Sequence, residues 1–153
     1  MSVTMDQVRQ FARELEHRFL TFEDGRIMIP FHSTDGRRMI ETEIGVFDDG
    51  KFLQFLATIV FQFGDDHDYI FPALRMINAC NGEFRWIKFY HNEDLRALKA
   101  IGDVWIMDGS LGAEQFRTML NCFVNCAFYA QAQVRGVLDD KRPALEPWME
   151  DDD

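Results

Sequence analysis

The sequence predicts an α+β domain: an antiparallel five-stranded sheet with three helices, in the order α-β-β-β-α-β-β-α. Three observations carry this expectation. Stretches with helical spacing of apolar residues open the chain, recur in its middle and return near its end. Three strand-like runs separated by Asp-Gly turns lie between the first two. Two more strand-like runs, joined by the short turn "HNED", lie between the second and third. Strands joined by tight turns pair antiparallel, and helices set before, between and after such groups mark α+β rather than strict β-α alternation.

The first helix begins at Thr4, with Gln7 at capping-box spacing and Val8, Phe11, Leu15 and Phe19 forming its apolar stripe. "RIMIPFHS" alternates as a strand, and Pro30 inside it requires a place where its missing N–H faces no partner. Asp35-Gly36 turns the chain into "RRMIETEIGVF", where Ile40, Thr42, Ile44 and Val46 share one face against Met39, Glu41 and Glu43. "DDG" at 48 to 50 turns it again into "KFLQFLATIVFQF", a long strand whose one parity is wholly apolar.

After the "GDDHD" loop, Asp66 or Asp68 is placed to cap a second helix. Pro72 belongs in its first turn, Ile70, Leu74 and Ile77 form its stripe, and Gly82 suits a left-handed terminus. The run 84 to 91 then puts Phe84, Trp86, Lys88 and Tyr90 on one parity and Arg85, Ile87, Phe89 and His91 on the other. Both parities carry apolar bulk, so either helices cover both sides or one side meets another protein. "LRALKAIGDVW" is the fifth strand, and Ser110 can cap a long last helix with Phe116, Met119, Leu120, Phe123, Ala127, Ala130 and Val134 inward. Residues 1–138 form one domain on this reading, and 139–153 an acidic tail containing prolines.

At 153 residues and 47% hydrophobic, the chain can bury a core of its own. A net charge of −10 argues against a nucleic-acid partner, which clustered Lys and Arg would attract. "DGRRM" at 35 to 39 is the best local basic patch, and it reads first as a solvated turn. Charged Asp6, Arg9 and Arg13 interrupt any leader, and no apolar run is long enough for a membrane span. Three cysteines without framework spacing suit a reducing, cytoplasmic setting.

Catalytic or metal-binding readings are each weaker than a plain one. Cys122 and Cys126 share a helix face and could hold zinc with Cys80 or a histidine, but no second close pair accompanies them. Core packing accounts for them more simply. His67 among Asp65, Asp66 and Asp68 lacks calcium-loop spacing. Glu41 and Glu43 share a strand face and read as exposed polar surface, while Gly109 and Gly112 lack the phosphate-loop lysine. No catalytic residue, cofactor or metal is therefore expected.

The passage from Arg75 to Ala127 resembles the YbjN-type family of bacterial proteins. A helix ending at Asn78 to Gly82 runs into a strand containing "KFY". "HNED" leads to a second strand, and "GSLGAEQF" opens a long final helix. The family is similar in fold to class I chaperones of type III secretion, and the resemblance implies a noncatalytic protein-interaction role, chaperone-like or regulatory. Together with the two-faced strand it leads us to expect a homodimer that binds a protein client, with contact from the second helix through the 84 to 91 strand. Phe84, Trp86 and Tyr90 are the candidate partner-binding residues. The alternative is a small-molecule-binding protein or weak enzyme with an internal apolar pocket.

Overall fold

The computed structural model describes residues 2–59, 67–95 and 97–139, with backbone alone at 67–70 and 139. Helix α1 (Met5–Glu14) is followed by strands β1 (Leu20–Thr21), β2 (Ile27–His32), β3 (Met39–Phe47) and β4 (Phe52–Ile59). Helix α2 (His67–Glu83), strands β5 (Ile87–Asn92) and β6 (Ala97–Trp105) and helix α3 (Ala113–Asp139) complete it. The sheet is antiparallel throughout, in the order β1-β2-β3-β4-β6-β5. It has six strands rather than the expected five. The extra one, β1, is two exposed residues long and too short to leave a period in the sequence.

Thr4 caps α1 as its spacing requires: its Oγ1 accepts the Gln7 amide at 3.2 Å, and Gln7 Oε1 accepts the Thr4 amide at 3.0 Å. The helix ends earlier than its apolar stripe. Leu15 is its cap, and Glu16 turns to φ 59°, so Phe19 reaches the core from the following segment. Pro30 sits where β2 has run past the two-residue β1, so its absent amide breaks no ladder bond. The β3–β4 turn has Asp48, Asp49 and Gly50 all at positive φ. Val3 donates its amide to the Gly50 carbonyl at 3.1 Å, and a Cβ on Gly50 would collide with the Val3 backbone.

One face of the sheet is apolar along every long strand. Ile27, Ile29, Ile40, Ile44, Leu53, Phe55, Ile59, Ile87, Phe89 and Leu98 are all buried there. Helix α3 crosses this face and packs against α1 and α2. Phe55 is at the centre, 5.6 Å from the Phe123 ring and 6.2 Å from Phe116, and Phe116 in turn meets Phe11 of α1 at 5.7 Å. Burying each such aromatic contributes about 1.5–3 kcal/mol. All three helices lie on this side, so the opposite face of the sheet carries no helix among the described residues.

The α2 region departs most from expectation. Pro72 is in the second turn, because the helix starts at His67. Leu74 faces outward, and the buried stripe is Ala73, Met76, Ile77 and Cys80. Gly82 is not at positive φ; the helix continues, and Phe84 donates its amide to the Cys80 carbonyl at 3.1 Å. Ser110 does not cap α3, since Phe116 bonds back to the Gly112 carbonyl and Ser110 turns toward Asp108. Asp68 lies inside α2, after its first residue, and so is not its cap. The expected cap at Asp66, the Ile70 side chain, the strand beyond Ile59 and the tail beyond Asp139 lie outside the described residues.

Candidate interaction surface

The helix-free face is assembled from the second parity of each strand, and register aligns it in rows. The first row is Phe47, Phe52 and Trp105, which are direct neighbours across β3, β4 and β6. Their rings follow one another at 6.3 Å and 5.0 Å in tilted arrangements. Trp105 is 60% exposed, and Met107 just beyond it is 89% exposed. The next row is Gly45, Gln54 and Asp103, in which Gln54 Nε2 donates to Asp103 Oδ1 at 3.0 Å. A third row holds Glu43, Leu56, Ile101 and Lys88, and a fourth Glu41, Thr58, Lys99 and Tyr90.

Charges of both signs interleave with this apolar surface. Arg26 reaches Glu43 at 2.8 Å and Asp24 at 2.7 Å. The side-chain hydrogen bond from Arg26 holds the Asp24 carboxyl below its ordinary range, and the same bond raises the guanidinium. Glu43 is thus engaged by an arginine, while Glu41 beside it is exposed with Pro30 and Thr58 as its strand neighbours. Nothing draws these two carboxylates into a common pocket.

Phe84, Trp86 and Tyr90 do not share a face. Strand β5 begins only at Ile87, after a bend that contains Trp86, so counting parity from Phe84 starts too early. Within β5 the alternation is clean: Ile87 and Phe89 are buried, Lys88 and Tyr90 exposed. Phe84 packs on the helix side, 5.7 Å from Phe89 and 5.7 Å edge-on from Tyr129. Trp86 also turns to that side, 5.9 Å from Phe55 and 6.3 Å from Phe123. A Cβ at Gly102 would run into the Trp86 ring, so this glycine in the middle of β6 makes room for the indole. Tyr90 alone of the three stands on the open face, 42% exposed.

The outer edge of the sheet at β5 is closed by a side chain. Asn81 Oδ1 accepts the Phe89 amide at 2.6 Å, and its Nδ2 donates to the Phe89 carbonyl at 2.8 Å, as a neighbouring strand would. Lys88 Nζ donates to the Asn81 and Phe84 carbonyls at 3.2 Å each, capping the end of α2. On the outer side of α2, Phe71 is 74% exposed and Leu74 lies beside it.

Among the described residues no group of three His, Cys, Asp or Glu is placed to hold a metal, and no helix is long and apolar enough to cross a membrane. Cys80 is buried, Cys126 half-buried and Cys122 exposed. Burial pushes the Cys80 thiol up to about 11 and, with the neighbouring Cys122, that of Cys126 to about 12, so neither is a ready thiolate ligand. Of the open-face row, the sequence points to Phe52 through the mixed second face of its strand, but not to Phe47 or Trp105 on either side of it. The row's signal was present in the outward parity of "KFLQFLATI" and in the Trp that ends β6.

Solved structures share this architecture. The crystal structure of YbjN from E. coli superposes with a TM-score of 0.63 at 15% identity, over 90% of this chain and 94% of that one. The ExsC-ExsE complex contains a chain matching at TM-score 0.58 and 18% identity, over 88% and 97%. The HopA1-SchA chaperone-effector complex gives 0.50 at 10% identity, over 85% and 98%. No curated protein matches the sequence. At these identities the likeness is one of fold. The model of the family described as "Putative bacterial sensory transduction regulator" matches residues 4–127, and the chain belongs to this family, YbjN.

Proposed function

We propose that the protein is a noncatalytic interaction module, chaperone-like or regulatory, that works as a homodimer and binds another protein on its open sheet face. The observation that carries this is the contiguous aromatic row Phe47-Phe52-Trp105 on a face that no helix covers among the described residues, with Leu56, Ile101 and Tyr90 on the same face. Exposed aromatic surface of this kind is costly for an isolated chain and supplies anchors when a partner covers it. The appearance of a similar fold in a chaperone-effector complex supports a protein as that partner. Tyr90 makes direct contact on this reading, while Phe84 and Trp86 brace β5 from behind. The homodimer forms through the outer side of α2, where Phe71 and Leu74 are exposed beside the edge strand.

Two measurements test it. A photo-cross-linking residue at position 105 should give a discrete protein adduct in cells, and the same probe at Arg117, on the solvent side of α3, should not. Equal labelling from both positions, or labelling from Arg117 alone, overturns the open-face assignment. Sedimentation equilibrium should show a dimer that Phe71→Asp with Leu74→Asp converts to a folded monomer. A wild-type monomer refutes the dimer, whatever the cross-linking shows.

A further inference from the structure

The open face of the sheet is unevenly charged, and its aromatic end is the acidic one. Register sets Phe47, Phe52 and Trp105 side by side, with Met107 exposed just beyond them. Asp103 precedes Trp105 by two residues on the same parity of β6. Asp48 and Asp49 follow Phe47 in the β3–β4 turn, and Asp108 follows Met107. All four aspartates are exposed, and Lys51 is the one base in segments 47–52 and 103–108. Arg26, whose stem lies beside Gly45 in the next row, is engaged by Asp24 and Glu43. Further along the face, Lys88 shares a row with Glu43 and Lys99 one with Glu41, so the excess negative charge is confined to the aromatic end.

This combination specifies a partner. The backbone under the row is taken up by the ladder, and the Ile106 amide donates to the Lys51 carbonyl at 2.8 Å. A partner is therefore held here by side chains rather than as an added strand. An apolar side chain would cover the exposed rings. A wholly apolar segment would leave the carboxylates partly desolvated without a counter-charge, and an acidic one would add repulsion. A guanidinium or ammonium is attracted both by the carboxylates and by the face of the indole, the best cation–π acceptor among side chains.

We propose that the open face recognises a protein segment carrying Lys or Arg directly beside a large apolar residue, the cation at Trp105 and its flanking aspartates, the apolar group on Phe52 and Phe47. This deepens the open-face reading above and rests on it. The net charge of −10 acts in the same sense at longer range, because it draws a basic segment toward the molecule.

The test selects a phage-displayed library of random peptides on the full chain. Selected sequences should be enriched in Lys or Arg next to Leu, Ile, Met, Phe or Trp. The tightest of them, synthesised with a fluorescent label, should bind about tenfold or more weakly to Trp105→Ala and to the combined variant Asp48→Asn, Asp49→Asn, Asp103→Asn and Asp108→Asn. Asparagine tolerates the positive φ at positions 48 and 49 and retains the acceptor oxygens used at 103 and 108, so the combined variant keeps its fold. Neutralising Asp6, Glu14, Glu16 and Glu114, on and around α1 and α3, should change the affinity by less than about twofold. Selected peptides without bases, or an affinity unchanged in the combined variant, overturn the cationic class and leave the open face standing as a docking surface. Basic peptides that bind Trp105→Ala as tightly as wild type overturn the open-face reading as well. A library that yields no binder overturns the proposal, as does a wild-type dimer that Trp105→Asp dissolves, which would place a second copy on this face.

Discussion

Replacing each of two tryptophans by alanine should separate the core from the open face. The Trp86 ring is half-buried, contacts Phe55 and Phe123, and fills the space that Gly102 leaves. Full truncation of a buried aromatic costs about 3–5 kcal/mol. Discounting for the exposed part of the indole puts Trp86→Ala at about 2–3 kcal/mol. Trp105 is more exposed than buried and has one close ring neighbour among the described residues, Phe52 at 5.0 Å. Loss of one such aromatic pair costs about 0.5–1.5 kcal/mol. Urea unfolding followed by circular dichroism, which does not depend on the tryptophans as probes, should therefore show Trp86→Ala to be clearly more destabilising than Trp105→Ala. In a domain of this size about 2–3 kcal/mol lowers Tm by roughly 4–12 °C. A loss below about 1 kcal/mol for Trp86→Ala, or above about 2 kcal/mol for Trp105→Ala, refutes the division of the two residues between faces.

Other consequences are as direct. Gly102→Val should drive a side chain into Trp86 and Phe123 and cost about 1–3 kcal/mol in the same assay. Asn81→Ala removes both bonds to Phe89, so static light scattering should show association that grows with concentration and that Asn81→Gln does not abolish. Iodoacetamide at pH 8 should label Cys122 in the native protein while Cys80 and Cys126 react only after unfolding. The raised thiols bind their protons more tightly when folded, so their contribution is complete below pH 9 and declines as pH rises toward about 11 and 12. A stability that rises between pH 9 and 11 in wild type, but not in Cys80→Ala, would contradict that sign.

The sheet was legible because its strands alternate. The parity of Ile40, Thr42, Ile44 and Val46, and that of Leu53, Phe55, Ala57 and Ile59, point to the same face that the fold buries. The Thr4–Gln7 capping box and the α3 stripe were equally readable, because local spacing and tertiary burial agree there. Where the two part, the sequence misleads. Asn81-Gly82 resembles a helix stop, yet the Asn81 amide bonds across to β5 and the helix runs on through Gly82. That longer helix delays β5 and turns Phe84 and Trp86 inward, so the two-faced strand dissolves into a corner and a clean strand. The true exposed row is legible only once register sets Phe47, Phe52 and Trp105 side by side, and register is a property of pairs of strands.

The strand order also fixes a sequence of events during folding. Helix α1 and strands β1 to β4 form from neighbouring residues, but β4 finds its second partner only in β6, with Phe52 opposite Trp105 and Ile59 opposite Leu98. Until β6 arrives, the full length of β4 is an unpaired edge bearing Leu53, Phe55, Ala57 and Ile59. Strand β5 is made first yet ends outermost, so the central ladder must admit β6 between two elements already synthesised. Non-local closure of this kind is slow, and an open apolar edge invites pairing with other chains. The newly made protein is thus most prone to aggregate in the interval between the synthesis of β4 and that of β6, before its own interaction surface exists.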